Sequence, residues 1–176
     1  MTGTPDVPAH LYDRPEIGGL VVPWITPSIH GVPLFGQLTD LAVAVCLTEN
    51  RCQICGHPLP DRAVLFARDS DLDYRCTPEP ATCPPCATYS ARACPMLAGD
   101  LDRYRTGPHP AFADASPTPS ELARRGAPAE AWHAVWVADY DVITHPAQPG
   151  VRAASWARIP PLRIRPVPRR PRDGRG

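Results

Sequence analysis

The chain has 176 residues, no net formal charge, 43% hydrophobic residues and 25 prolines. Proline removes a backbone donor and fixes φ, so this content excludes long helices and large sheets and predicts short elements set among extended coil around a small core. Nothing approaches 18 consecutive apolar residues, and the N-terminal run MTGTPDVPAHLYDRPEIGG has acids and prolines where a secretion signal needs a basic segment and an apolar run. The expected setting is therefore cytoplasmic, with no membrane partner.

Charge is uneven along the chain. All 18 basic residues are arginine, and residues 152 to 176 hold eight of them against Asp173. Residues 1–18 read as a disordered lead. The run GLVVPWITPSIHGVPLFG reads as two extended segments turning near His30-Gly31, where glycine serves a tight turn. Thr39 caps a helix over 40–50, with Leu41, Ala44, Val45 and Thr48 at helical spacing and Asp40 at the positive end of the helix dipole. Residues 63–67 (AVLFA) and 72–76 (LDYRC) flank Arg68-Asp69-Ser70-Asp71 as a hairpin would, and a second helix starts with Cys83 as cap and Pro84 at its first position, ending near Cys94 ahead of Pro95.

Two Cys-x-x-Cys pairs, Cys52/Cys55 and Cys83/Cys86, dominate the middle of the chain. In a reducing compartment, four thiolates at this spacing suit one tetrahedral structural zinc better than disulfides. A Cys-x-x-Cys-Gly knuckle, a hairpin and a helix carrying the second pair in its first turn follow the order of a treble-clef zinc finger. The expected fold class is thus α+β, a treble clef over 52–95 inside a zinc-binding domain over 19–98 with short helices, antiparallel hairpins and proline-rich flexible tails. Gly56 fits the sharp turn after the second ligand. Arg51, Arg62, Arg75 and Arg92 are candidates to offset the thiolate charge. Cys76 stands in reserve as a substitute ligand, His57 is a weaker candidate, Cys46 and Cys94 read as packed thiols, and iron stays open as an alternative metal.

Catalytic readings find little support. A zinc deaminase needs His-x-Glu ahead of its cysteine pair, and no histidine here is followed by glutamate two residues later. An HNH nuclease built on a treble clef needs histidines on the hairpin and the helix, and 63–76 and 84–98 have none. Four cysteine ligands leave no open position for water. A redox dithiol at Cys83-Pro-Pro-Cys86 stays a lesser alternative, as does an enzyme of another chemistry.

Several segments together resemble a family of small uncharacterised zinc-finger-like proteins of GC-rich bacteria and their phages. They are Pro23-Trp24, Gly31-Val32-Pro33-Leu34-Phe35, Cys52 to Gly56, Glu79-Pro80-Ala81-Thr82-Cys83-Pro84-Pro85-Cys86-Ala87 and Ser90-Ala91-Arg92-Ala93-Cys94-Pro95. The family places histidine where this chain has Cys83, so the resemblance implies Cys83 as a metal ligand. It implies no activity.

Residues 99–131 read as a linker with one helical turn near Ser120 to Arg125. The run AWHAVWVADYDVIT then reads as a buried strand that pairs with VRAASWARI across Pro146 to Gly150, the strand pair at 132–159 packing on the core. Trp132, Trp136, Tyr140 and Trp156 read as core in preference to a base-stacking platform. Residues 160–176 alternate proline with arginine and read as a disordered arm, in which Arg163, Arg165, Arg169, Arg170 and Arg172 offer salt-sensitive nucleic-acid contacts. The functional expectation is a non-enzymatic binding or adaptor module, with nucleic acid the leading partner and another protein the alternative.

Overall fold

Glycines and histidine at positive φ set up the first half of the chain. Gly18 and Gly19 (φ 59° and 76°) turn β1 (Glu16–Ile17) back onto β2 (Leu20–Val21), and His30 and Gly31 (φ 49° and 79°) turn β3 (Ser28–Ile29) onto β4 (Val32–Pro33). These two-residue loops match the twist of paired strands, which is why such short ladders form at all. The computed structural model describes residues 5–107 and 119–171.

Helix α1 (Asp40–Thr48) starts where the Thr39 hydroxyl accepts the Ala42 N–H at 3.2 Å, and its Cys46 and Leu47 are buried. Next comes β5 (Ala63–Arg68), with all six residues buried. The chain does not form the hairpin expected from 63–67 and 72–76. Helix α2 (Asp69–Tyr74) takes the place of the turn, because the Asp71 carboxylate accepts the Arg68 backbone N–H (2.9 Å) and two bonds from the Arg68 guanidinium (2.9 and 3.0 Å). That ion pair is almost entirely buried. Strand β6 (Cys76–Thr77) then pairs with a distant segment, not with β5.

Helix α3 (Pro84–Ala93) begins at Cys83 and ends at Cys94, ahead of Pro95, as its prolines predict. Helix α4 (Pro119–Arg124) covers the expected turn near 120–125. The apolar run at 132–143 is two strands and not one. Strand β7 (Trp132–Val137) joins one sheet and β8 (Asp141–Thr144) another, with Asp139 accepting the Tyr140 N–H at 2.8 Å in the break. Strand β8 forms the expected hairpin with β9 (Arg152–Ser155).

The chain is therefore a mixed α+β protein with small antiparallel sheets and few helices. One sheet has the order β10-β7-β5 and the other β6-β9-β8, with β10 at Arg163–Pro166. Val135, Val137, Leu65, Ala154 and Trp156 fill one core, and Val64, Phe66, Trp132 and Val167 a second beneath α3. Trp132, Tyr140 and Trp156 are buried, as expected of core aromatics.

Both ends depart from the sequence reading. Within the expected disordered lead of residues 1–18, Leu11 is fully buried beside the cysteines and Glu16–Ile17 pairs as a strand with Leu20–Val21 beyond it. In the expected disordered arm, β10 pairs with β7, Val167 is buried, and Arg170 bonds Asp100 at 2.7 Å and the Arg92 carbonyl at 2.7 Å. Apolar side chains with a surface to cover decide both segments, whatever the surrounding proline content. Arg172 lies outside the described residues.

His145 tests the buried polar centre. Its Nδ1 accepts the Ala147 N–H at 3.1 Å, leaving Nε2 facing Asp71 at 3.9 Å, with Arg68 behind it and the Tyr74 ring alongside. Burial lowers its pKa below the ordinary 6.5, outweighing the attraction of Asp71. Folding thus opposes its protonation: the contribution is intact above about pH 6.5 and is lost as pH falls below that value. Thermal melts between pH 7.5 and 5 should show wild-type protein losing more stability than His145→Gln, and parallel curves would contradict this account.

Candidate metal centre

The first cysteine pair sits in a tight knuckle. The Gly56 N–H donates to the Cys52 carbonyl at 2.8 Å and the Cys52 N–H to the His57 carbonyl at 2.9 Å, which folds the two thiols to the same side. Gly56 has φ +77°, and a Cβ there would lie 2.5 Å from the Trp24 ring. Two further segments clamp the knuckle. Trp24 and Ile25 donate their N–H groups to the carbonyls of Ile54 (2.8 Å) and Gln53 (3.0 Å), and Gln53 donates to the Ala81 carbonyl at 3.1 Å.

The second pair is aimed at the first by β5. Val64 and Thr82 exchange backbone hydrogen bonds of 2.9 and 2.8 Å, and the Thr82 hydroxyl donates to the Val64 carbonyl at 3.0 Å. That bridge fixes the residue just before Cys83. Cys83 then caps α3 and Cys86 lies in its first turn, where free N–H groups and the positive dipole end favour thiolates.

A histidine completes the cluster. His10 Nε2 and the sulfurs of Cys55, Cys83 and Cys86 all lie within 4.8 Å of one another, with His10 to Cys86 at 3.2 Å and Cys55 to Cys83 at 4.0 Å. A tetrahedral zinc with Zn–S bonds of about 2.3 Å has S–S edges of roughly 3.8 Å, so the donor set matches a metal ion in both chemistry and spacing. Cys52 is fully buried in the same apolar pocket as Leu11, Val21, Ile54 and Tyr89. The cluster thus has four donors, three sulfurs and a ring nitrogen, as many as a tetrahedral ion takes.

The electrostatics of the cluster are those of a cation site. Hydrogen bonds from Cys83 and then Cys86 hold the Cys52 thiol well below the usual thiol range. The same Cys52 contact raises Cys83 and Cys86, and burial raises Cys55. Three buried sulfurs this close to one another carry full charge together only when a cation shares it. Arg14 stands nearby. Burial lowers its pKa and the Cys55 sulfur opposes that shift, while its side chain donates to the Val22 carbonyl at 3.2 and 2.9 Å.

The structure thus brings Cys55, Cys83 and Cys86 together with His10, whose place in the expected disordered lead hid it from the sequence reading, while Cys52 is buried in the same apolar cluster without joining the mutually close donors. The one local signal was Leu11 next to it, a large apolar residue with no neighbours of its kind. Cys76 is not part of the convergence. It lies in β6 opposite Ser155, and burial, then Asp71, pushes its thiol up to about 11. His57 is exposed, 6.2 Å from the His10 ring. Arg51 donates to the Gly56 carbonyl at 3.1 Å and pairs with Glu49, and the neighbouring guanidinium is Arg14.

Comparison with protein-family models, with curated proteins and with solved structures gives no match. The site therefore rests on its own geometry. Gly56→Ala should destabilise the fold by about 1–3 kcal/mol from the backbone conformation alone, with the Trp24 overlap added. Denaturant unfolding of the metal-loaded protein checks this, and an unchanged midpoint would show that the knuckle does not need glycine.

Proposed function

We propose that the protein is a zinc-organised binding module whose metal is structural and not catalytic, built on a treble-clef-like core. The observation that carries this reading is the clustering of the His10, Cys55, Cys83 and Cys86 donor atoms within 4.8 Å of one another, with Cys52 buried in the same apolar cluster as the other three cysteines. Cys52, Cys55, Cys83 and Cys86 serve as the four ligands, and His10 donates its Nε2–H to the Cys86 sulfur from outside. The two thiols of a knuckle are positioned together, and Cys52 is fully buried, whereas His10 is exposed on a three-residue turn. Zinc supplies a cation that fixes ligand geometry and allows four thiolates to share one pocket. With the sulfur positions filled, no position is left for a reacting water.

Two parts of the treble-clef order support the same reading, a cysteine knuckle and a helix opening on the second pair, while α2 and a β6 that pairs with β9 stand in place of its hairpin. The resemblance to zinc-finger-like proteins of GC-rich bacteria and phages, drawn on the same segments, agrees with it. As a zinc site it would tie the N-terminal turn to the rest of the fold and leave the outer surfaces free for a partner.

Elemental analysis of protein purified without added metal should give one zinc per chain. Four thiols should become reactive only after chelation, with the loss of tertiary circular dichroism. Cys83→Ser and Cys86→Ser should lose the metal and Cys76→Ser should keep it. Cobalt(II) substitution separates the two ligand sets: His10→Ala should keep a four-thiolate charge-transfer band with metal affinity lowered about tenfold. Retention of metal by Cys52→Ser and its loss in His10→Ala would instead make His10 the fourth ligand. No metal and a ready Cys83/Cys86 disulfide would overturn the proposal.

A further inference from the structure

The edge of the three-stranded sheet carries a second constellation. Trp136 of β7 is half-buried, and the Arg163 guanidinium of β10, its direct cross-strand partner, lies over the indole at 4.0 Å from the ring centroid. Arg62, Leu162, Trp136 and Arg163 line a shallow cleft of about 290 Å³. Arg165 follows two residues along the same strand, exposed like Arg62 and Arg163.

The ion pairs among the described residues use Arg51, Arg68, Arg124, Arg158 and Arg170, and none uses Arg62, Arg163 or Arg165. Arg158 and Arg170 find carboxylates in Asp141 and Asp100, whereas Arg62, Arg163 and Arg165, like the exposed Arg75, Arg92 and Arg152, pair with none among the described residues; what distinguishes the first three is that they cluster beside one indole. Three unneutralised arginines around one indole call for an anionic partner with flat apolar groups. Pro166 within β10 and Pro160, Pro161 and Pro168 beside it lack a backbone N–H, so an added peptide strand would find only the short run Arg163 to Arg165 to pair with. Side-chain chemistry remains. A guanidinium pairs with a phosphate through two parallel bonds and stacks on rings, and an indole stacks on any base.

We infer that this edge binds single-stranded nucleic acid, with one base stacked on the Trp136–Arg163 pair and flanking phosphates on Arg62, Arg163 and Arg165. The inference rests on the reading of the chain as a metal-organised binding module and names its partner class. It relocates the contact from a loose tail to a rigid edge. Arg169 crosses Gly99 and Arg170 bonds Asp100, so those two anchor the segment.

The test uses the full-length, zinc-loaded protein and fluorescein-labelled oligo(dT) and oligo(U) in anisotropy titrations. Three phosphate contacts predict a log–log salt slope of about −2. Arg62→Ala and Arg163→Ala should each weaken binding severalfold and together by tenfold or more, and Trp136→Phe by less. The exposed Arg152→Ala on β9 should change nothing, and all these variants should keep their zinc and melting temperature. Arg62→Ala serves as the sole arginine variant if Arg163→Ala fails to fold. Loss of zinc and fold in the wild type would implicate the metal reading, whereas a folded zinc protein that does not bind oligonucleotide would overturn this inference alone. Equal losses in Arg152→Ala, tighter binding of duplex DNA, or equal competition by polyglutamate would also overturn it, the last in favour of an acidic protein partner.

Discussion

The segments around the cysteines depend on donor side chains meeting in one pocket. Three stretches far apart in the chain, around His10, Cys52–Cys55 and Cys83–Cys86, have no continuous sheet to join them. Their backbone ties are a few loop hydrogen bonds, from Trp24 and Ile25 to the knuckle and from the knuckle to Ala81. Bonds of that kind contribute about 1 kcal/mol each. A metal bound as proposed would contribute about 10–16 kcal/mol, which exceeds their sum and would hold helices and strands this short in a fixed arrangement.

The second half is held differently. Strand β5 is buried over its full length and is shared by both regimes: it pairs with β7 on one side, and its Val64 is bridged to Thr82, next to a ligand. The metal pocket and the sheet are thus joined through one strand. The buried Arg68–Asp71 pair sits at the end of that strand, and losing either partner would strand a charge, at a cost of about 3–5 kcal/mol.

Local chemistry was legible in the sequence wherever a single residue decides an outcome. Thr39 as cap, Cys83-Pro84 as a helix start, Pro95 as a stop, His30-Gly31 as a turn and the 141–155 hairpin needed only neighbouring residues. The pairs Cys52/Cys55 and Cys83/Cys86 were legible because ligand spacing is itself local. The Gly18-Gly19 turn was equally local and went unread, since a proline-rich lead suggested disorder. Other features depend on distant partners. His10 is defined by sulfurs more than forty residues away, α2 by the Asp71 carboxylate folding back on Arg68, and β10 by an edge of β7 that the tail's own composition does not reveal. The break at Ala138 to Tyr140 was masked by a run of apolar residues that serves two different sheets.

The burial of β5 bears on how the chain is made. A ribosome releases Ala63–Ala67 well before Trp132–Val137, so this wholly apolar, uncharged strand emerges with an open edge and no β7 to cover it. The cysteine pairs and the Thr82 bridge lie on the early side of that interval. A metal captured in the cysteine pocket during synthesis, as proposed, would hold β5 against its own neighbourhood while the rest of the sheet is still inside the tunnel, and without it the open edge would be exposed to aggregation.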